Sequence, residues 1–368
     1  IIGSSFSHLR STQPICDKPV SFEEIDGIRY IWFRAPHYSG NSYKRIVNML
    51  LFSVQLLSRD ILTGNPDVVI DSSTYPLTIW GSRKIAKRFN AKLIFEVHDL
   101  WPLTPMELGG YSRWHPFIFV LQQAENYAYK NADRVVSLLP CAKEHMMSHG
   151  MHPEKFVYIP NGIDLHEWQA TASLPAAHHA VINQLKAQEK FIIGYAGSIG
   201  LANALDYLVE AAALLKNEKS LHFILVGQGT HLEQMKTAAT AKSLENVTFL
   251  PPIQKKQIPT FFSLMDALHI ASQRSELYRF GISPNKMMEY MMAAKPIINA
   301  ICAGNDPVAE AGCGLSIAPE DPNAIVRVVK QMMNMRPEDR AAMGERGRKY
   351  VIAHHDYRVL AKRFLECI

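Results

Sequence analysis

Short apolar runs alternate with helix-forming stretches along most of the chain. From Asp67 the runs PDVVIDSS, AKLIFEVHD, ADRVVSL and FVYIPNGID are separated by helical segments, among them Thr78 to Phe89 and Cys141 to His149. A second series follows with FIIGYAGSIG, LHFILVGQG, VTFLPP, DALHIAS, PIINA and GLSIA, with the helix Asn203 to Leu215 after the first of them. Strand and helix repeated in this way predict parallel sheets joined by right-handed crossovers. Ligands of such sheets sit beyond the C-terminal ends of the strands. Between the two series, Ala170 to Ala187 shows no clear buried strand and is expected to hold a linker. The 368 residues suffice for two α/β domains, each with its own core, at 1–168 and 188–352.

Composition narrows the function classes. At 48% hydrophobic and 20% charged residues the chain is a folded protein and not a disordered one. A net charge of +5 favours anionic ligands or an anionic membrane surface, but lacks the dense basic stripe of a nucleic-acid binder. The five cysteines, Cys16, Cys141, Cys302, Cys313 and Cys367, are scattered without C-x-x-C spacing, which fits reduced thiols in the cytoplasm. No D-x-D, paired histidines or cysteine cluster is read, so no metal site is expected. No run approaches the roughly 20 apolar residues of a membrane span, and no signal peptide is read at the start.

The segment from Phe280 to Ile298, FGISPNKMMEYMMAAKPII, carries the sharpest signal. Ser283 is a candidate N-cap and Pro284 suits the first helical position, so a helix is expected from 284. Lys286 in its first turn is the wrong charge for the positive end of a helix dipole, unless an anion sits there. Backbone N–H groups, dipole and lysine together make a phosphate site, and Glu289 lies one turn on along the same face. The plainer alternative is a surface ion pair between Lys286 and Glu289.

Other loops add candidates. Gly194, Gly197 and Gly200 give G-x-x-G-x-x-G, which is not a dinucleotide fingerprint but would let backbone approach a diphosphate. His98 and Asp99 end the strand KLIFEVHD, where they either settle the next loop or meet a ligand. The loop after them, with Pro105, Gly109, Gly110, Tyr111 and Trp114, suits an acceptor, although its aromatics could equally cover the core. Tyr43 to Arg59 has bases at both ends and Ile46, Met49, Leu50 and Leu57 near helical spacing. It is either a helix packed on its sheet or a surface for anionic lipid.

The 280–298 segment resembles the donor site of the retaining GT-B glycosyltransferases of family 4, and the likeness extends over nearly the whole chain. It implies two Rossmann-like domains whose sheets face a central cleft, with 353–368 crossing back onto the first. It places the handover between domains at Asn161-Gly162-Ile163-Asp164. Of the two glutamates usual in this family, the ribose-binding one matches Glu289. The other would fall on Gly281, leaving Ser283, Asn285 and Lys286 to supply polar contacts. Gly197, Ser198 and Gly200 match the donor-phosphate loop, and because the family's basic residues are missing there, the charge is expected from Arg274, Arg279 or Lys286. His98 matches the histidine that faces the donor sugar. The first strand, loop and helix of the family are missing, so the chain is expected to be N-terminally incomplete.

The implied activity is metal-independent transfer, with retention, from a nucleotide sugar that is a substrate and not a cofactor. SHLR near the start and GISPNK look most like transferases of O-antigen or capsule assembly, including those for N-acetyl-fucosamine. The implied acceptor is a lipid-linked glycan, met by a cytoplasmic protein peripheral to the inner face of the membrane. A non-hydrolysing nucleotide-sugar 2-epimerase and a non-catalytic nucleotide-sugar-binding protein are the rivals.

Overall fold

The structure, a computed structural model, describes residues 1–7, 10, 12–40, 42–59 and 64–368, so His8 and Leu9 of SHLR lie outside the described residues. The chain divides into two compact units, the first being Ile1–Tyr158 with Cys367–Ile368 and the second Ile159–Glu366.

The first unit holds two sheets. β1 (Ile2–Ser4) pairs in parallel with β3 (Ile28–Phe33), and β2 (Val20–Ile25) pairs with β3 antiparallel. The β2–β3 hairpin escapes a search for apolar runs because VSFEEI carries acidic residues and is mostly exposed. Its signal is Asp26-Gly27, both at positive φ, which is the turn that two-residue hairpins favour. The second sheet is parallel in the order β4 (Val68–Ser72), β5 (Lys92–Val97), β6 (Arg134–Ser137), β7 (Phe156–Tyr158). Leu93, Ile94, Phe95 and Val97 of β5 are buried, as a central strand covered on both faces requires. The helix Pro116–Asn131 buries Leu121, Ala124, Glu125, Ala128 and Tyr129, a single stripe at helical spacing.

The second unit is built on a six-stranded parallel sheet in the order β10-β9-β8-β11-β12-β13. Its strands are β8 (Phe191–Ser198), β9 (Leu221–Gln228), β10 (Val247–Leu250), β11 (Ala267–Ala271), β12 (Ile297–Ala300) and β13 (Gly314–Ser316). From β8 the chain builds outward through β9 to β10 and then returns to lay β11 on the other side of β8. That reversal is where open α/β sheets form their ligand crevice. One face of the sheet packs Met287, Met288, Tyr290 and Met291 against Ile224, Val226 and Leu268. The other packs Leu208, Val209, Ile325 and Val329 against Tyr195, Phe223 and Leu225. Both units are Rossmann-like, as expected.

The units divide after Tyr158 rather than at 168, and the expected linker belongs to the second unit. Within it Ala176–Ala187 is a helix, and Leu174, Ile182 and Leu185 join the core around Ile192. The segment 353–366 also groups with the second unit. A bridge between Ile163 and Asp356, with Ile163 N–H donating to His355 carbonyl at 2.8 Å, ties its start to the Asn161–Asp164 turn. Only Cys367–Ile368 fall in the first unit, where Lys92 Nζ donates to the Ile368 carbonyl oxygen.

Candidate functional site

The loops that leave β8 and β11 meet in the second unit, where Gln273 N–H donates to Ala202 carbonyl at 3.1 Å. The helix Asn285–Met292 delivers Lys286 to the same place. Lys286 Nζ donates to Tyr195 hydroxyl at 2.7 Å and lies 3.4 Å from Asn203 Oδ1, while Tyr195 hydroxyl donates to Ser198 carbonyl at 2.6 Å. The ammonium also stands 4.2 Å from the centroid of the Tyr195 ring. A Cβ at Gly197 would come within 2.7 Å of Nζ, so residue 197 must be glycine for the lysine to lie under the loop.

Burial lowers the Lys286 pKa to about 8, opposed by the charge of Glu289. His269, wholly buried on β11, is pushed down to about 3 by burial and by Lys286, and is therefore neutral. Lys286 is thus a half-buried cation whose hydrogen-bond partners are neutral oxygens. Beside a glycine loop and a helix start, such a cation is suited to an anion.

The helix begins one residue later than expected, with Pro284 as its N-cap and no side-chain cap. Ser283 is therefore not the cap. Its Oγ accepts from Asn161 N–H at 2.8 Å and its carbonyl accepts from Asn161 Nδ2 at 2.6 Å, which ties the helix start to the Asn161–Gly162 turn. Gly281 sits at φ +98°, ψ 173°, a conformation open essentially to glycine alone. A glutamate at this position would be strained, so the missing carboxylate follows from the backbone path.

Asn285 and Glu289, one turn apart, line a cavity of about 200 Å³ with Gly162, Asp164, Glu167, Trp168 and Lys255. Burial raises the Glu289 pKa, while Lys255 and Lys286 pull it down. Lys255 is itself paired with Glu167 at 2.7 Å. The sequence-predicted residues therefore form two groups, one around Lys286, Gly197 and Ser198 and one around Glu289 and Asn285. Gly200 opens the short turn Leu201–Asn203 that positions Asn203.

Arg274 does not supply the missing charge in this arrangement. Its Nε lies 3.6 Å from Glu320 Oε2 and its Nη2 donates to Pro319 carbonyl at 3.3 Å. Arg279 is held by Glu276 and stacks over Phe280. Of the three basic candidates, only Lys286 reaches the glycine loop.

In the first unit His98 follows β5, and its Nε2 is 3.1 Å from Glu96 Oε2. That bond raises the His98 pKa against the opposing effect of burial. Trp114 is exposed and does not cover the core. Tyr195, His269 and Glu96 were not visible in the sequence as site residues. Each sits in a buried strand, where a tyrosine reads as core and alternate residues share a face unannounced. The expectation of no paired histidines is also corrected, since His145 and His149 stand four residues apart and group with Glu125 in the first unit.

Residues 16–167 match the family described as Glycosyltransferase Family 4, and residues 180–350 match Glycosyl transferases group 1. The chain is 23% identical over 333 residues to the Probable glycosyltransferase WbjE of Pseudomonas aeruginosa, covering 88% of this chain and 79% of the relative. It is 23% identical over 326 residues to the Putative colanic acid biosynthesis glycosyl transferase WcaI of Escherichia coli (strain K12), covering 85% and 78%. Among solved structures, HepE of Anabaena in complex with UDP and glucose superposes with TM-score 0.64 at 16% identity, over 92% of this chain and 86% of that one. The E. coli structure described as trehalose-6-phosphate bound with UDP-2-fluoro glucose gives 0.73 at 13% identity, over 99% and 91%. At these identities the structural likeness establishes the fold, which is GT-B.

Proposed function

We propose a donor, an acceptor and a stereochemical course for what is a glycosyltransferase of GT-B fold, built from family 4 and group 1 domains. The donor is a nucleotide sugar, UDP-linked and of N-acetyl-fucosamine type, and the acceptor is a lipid-linked saccharide of surface-polysaccharide assembly. Transfer proceeds with retention and without a metal ion. The observation that carries this reading is Lys286, a half-buried ammonium beneath the Gly197 loop at a helix start. It supplies the charge that a departing diphosphate needs, aided by backbone N–H groups.

The two groups of site residues divide the donor between them. Gly197, Ser198, Gly200 and Lys286 take the diphosphate. Glu289, with Asn285, takes the ribose, and His98 is assigned to the sugar during turnover. The name of the WcaI relative, a putative colanic acid biosynthesis glycosyl transferase, supports polysaccharide biosynthesis, and the UDP in the solved structures supports the nucleotide. The same proposal puts the protein at the inner face of the cytoplasmic membrane, with the helix Tyr43–Ser58 as its point of attachment.

The test is calorimetric titration with UDP, GDP and dTDP and their sugars, followed by transfer to a lipid-linked acceptor. UDP and UDP-sugars are expected to bind. Glu289→Gln should weaken UDP by about 1.5–3 kcal/mol, the worth of a hydrogen bond to a charged group. Failure of every nucleoside diphosphate to bind would remove the reading. Binding without transfer would leave a nucleotide-sugar-binding protein.

A further inference from the structure

A cluster with no part in donor binding lies in the first unit. The helix Pro116–Asn131 supplies Glu125 from its buried face, and the short helix Lys143–Ser148 supplies His145, with His149 at its C-cap. One ligand atom from each of the three lies within 4.8 Å of the other two. His145 Nε2 is 3.4 Å from Glu125 Oε1. Two donors bound about 2.0–2.1 Å from a tetrahedral ion stand about 3.3–3.4 Å apart, so this edge of a coordination polyhedron already has the right length.

The surrounding bonds orient the Glu125 carboxylate and the His149 ring. Glu125 Oε1 accepts from Tyr129 hydroxyl at 3.0 Å and Oε2 accepts from Gln122 Nε2 at 2.8 Å. His149 Nδ1 lies 2.9 Å from His145 carbonyl and 3.1 Å from Ser148 Oγ. A proton on Nδ1 donated to that carbonyl leaves Nε2 with a free lone pair. This outer hydrogen bond is what fixes the tautomer of metal-binding histidines. The His145 and His149 rings are 4.4 Å apart between centroids, on adjacent turns as an i, i+4 pair must be. The side chain of Glu125 is 4% exposed and that of His145 15% exposed, so the carboxylate is dry while an ion could still enter from solvent.

We propose that Glu125, His145 and His149 bind a divalent transition metal of the zinc class, with water in the fourth position. Two imidazoles and a carboxylate suit zinc and disfavour magnesium, which demands oxygen ligands. Bound there, the ion neutralises a buried carboxylate and pins the short helix Lys143–Ser148 to the long helix Pro116–Asn131. Its role is structural, and sugar transfer does not pass through it.

The full chain, stripped with chelator, is titrated with zinc chloride and with magnesium chloride, and its melting temperature is followed. Zinc should bind at one equivalent and raise the melting temperature by several degrees, and magnesium should do neither. His149→Ala, at a half-buried helix end, should fold and lose at least tenfold in zinc affinity, while Cys141→Ser should bind as the parent does. With cobalt as a spectroscopic substitute, visible bands without thiolate charge transfer are expected. Zinc binding that survives in His149→Ala, or a thiolate band in the cobalt form, would overturn the site. So would a parent chain that takes up no stoichiometric zinc.

Discussion

Lys286 stands in the structure at a cost. Its folded pKa, about 8, lies below the ordinary lysine value of 10.5, and burial is the first cause. A cation whose folded value is lowered destabilises the protein fully below that value, and the penalty fades as pH rises toward the unfolded value. Lys286→Met should therefore be no less stable than the parent at pH 7, while losing on the order of 2–3 kcal/mol of UDP affinity through the missing charge-assisted bond. In the parent, UDP affinity should fall between pH 7 and 9.5 as the ammonium deprotonates, and in the variant it should stay flat. A variant that keeps parental affinity would move the phosphate elsewhere. His98 carries the opposite sign. Glu96 raises its pKa, so the pair adds stability below the unfolded histidine value and loses it as pH rises through the folded one. Glu96→Gln should lower the His98 titration, read by NMR of the ring protons, and shift the acid limb of turnover in the same direction. A titration unmoved by the substitution would detach Glu96 from His98.

The helix Asn285–Met292 is held at its start by Asn161 bonding Ser283, an arrangement made across 122 residues of sequence. Ser283→Ala removes the acceptor of Asn161 N–H and should cost about 1–3 kcal/mol in denaturant unfolding. UDP affinity should fall with it, because Lys286 rides on this helix. Stability that drops while affinity holds would separate the clamp from the site. This bond also marks where sequence stops being legible. The parallel strands were readable because strands buried on both faces are continuous apolar runs, as KLIFEV and HFILVG are. The Lys286 region was readable because a cation in a first helical turn contradicts local electrostatics. Ser283 was misassigned because an N-cap and a partner for a distant backbone N–H look alike in one dimension. Ala170 to Ala187 reads as linker because AAHHAVINQLKA carries little apolar contrast, although the helix Ala176–Ala187 buries Ile182 and Leu185. Gly281 reads as a lost glutamate until its positive φ is known. His145 and His149 mean little until Glu125 arrives from another helix.

On the scale of the molecule, the remaining question is how a chain with no helix long and apolar enough to cross a membrane, among the described residues, would meet the lipid-linked acceptor proposed for it. The helix Tyr43–Ser58 buries Met49, Phe52 and Leu56 on one face. Its opposite face shows Val47 at 38%, Leu50 at 42%, Leu51 at 44%, Val54 at 58% and Leu57 at 42% exposure, a stripe wider than sequence spacing indicated. Of the residues whose spacing allows either packing on the sheet or contact with lipid, Met49 is in the core, while Leu50 and Leu57 are outside. Lys44 and Arg59 flank the stripe, in a protein of net charge +5. Apolar side chains entering the headgroup boundary with cations beside them favour an anionic bilayer. Each base near such a surface adds about 1 kcal/mol, so the attachment should be weak and reversible. Charge attraction is screened over about 8 Å at physiological ionic strength, and binding should therefore fade with added salt. The measurement is co-sedimentation with liposomes of anionic and of neutral lipid. The parent chain should pellet with the anionic vesicles only. Lys44→Glu should weaken this and flatten its dependence on salt, because less charge attraction is left to screen, and Leu51→Gln with Val54→Gln should abolish it with no loss of stability, because both side chains already face water. Binding indifferent to lipid charge, or retained after both apolar substitutions, would return this face of the helix to an ordinary surface and require another route to the acceptor.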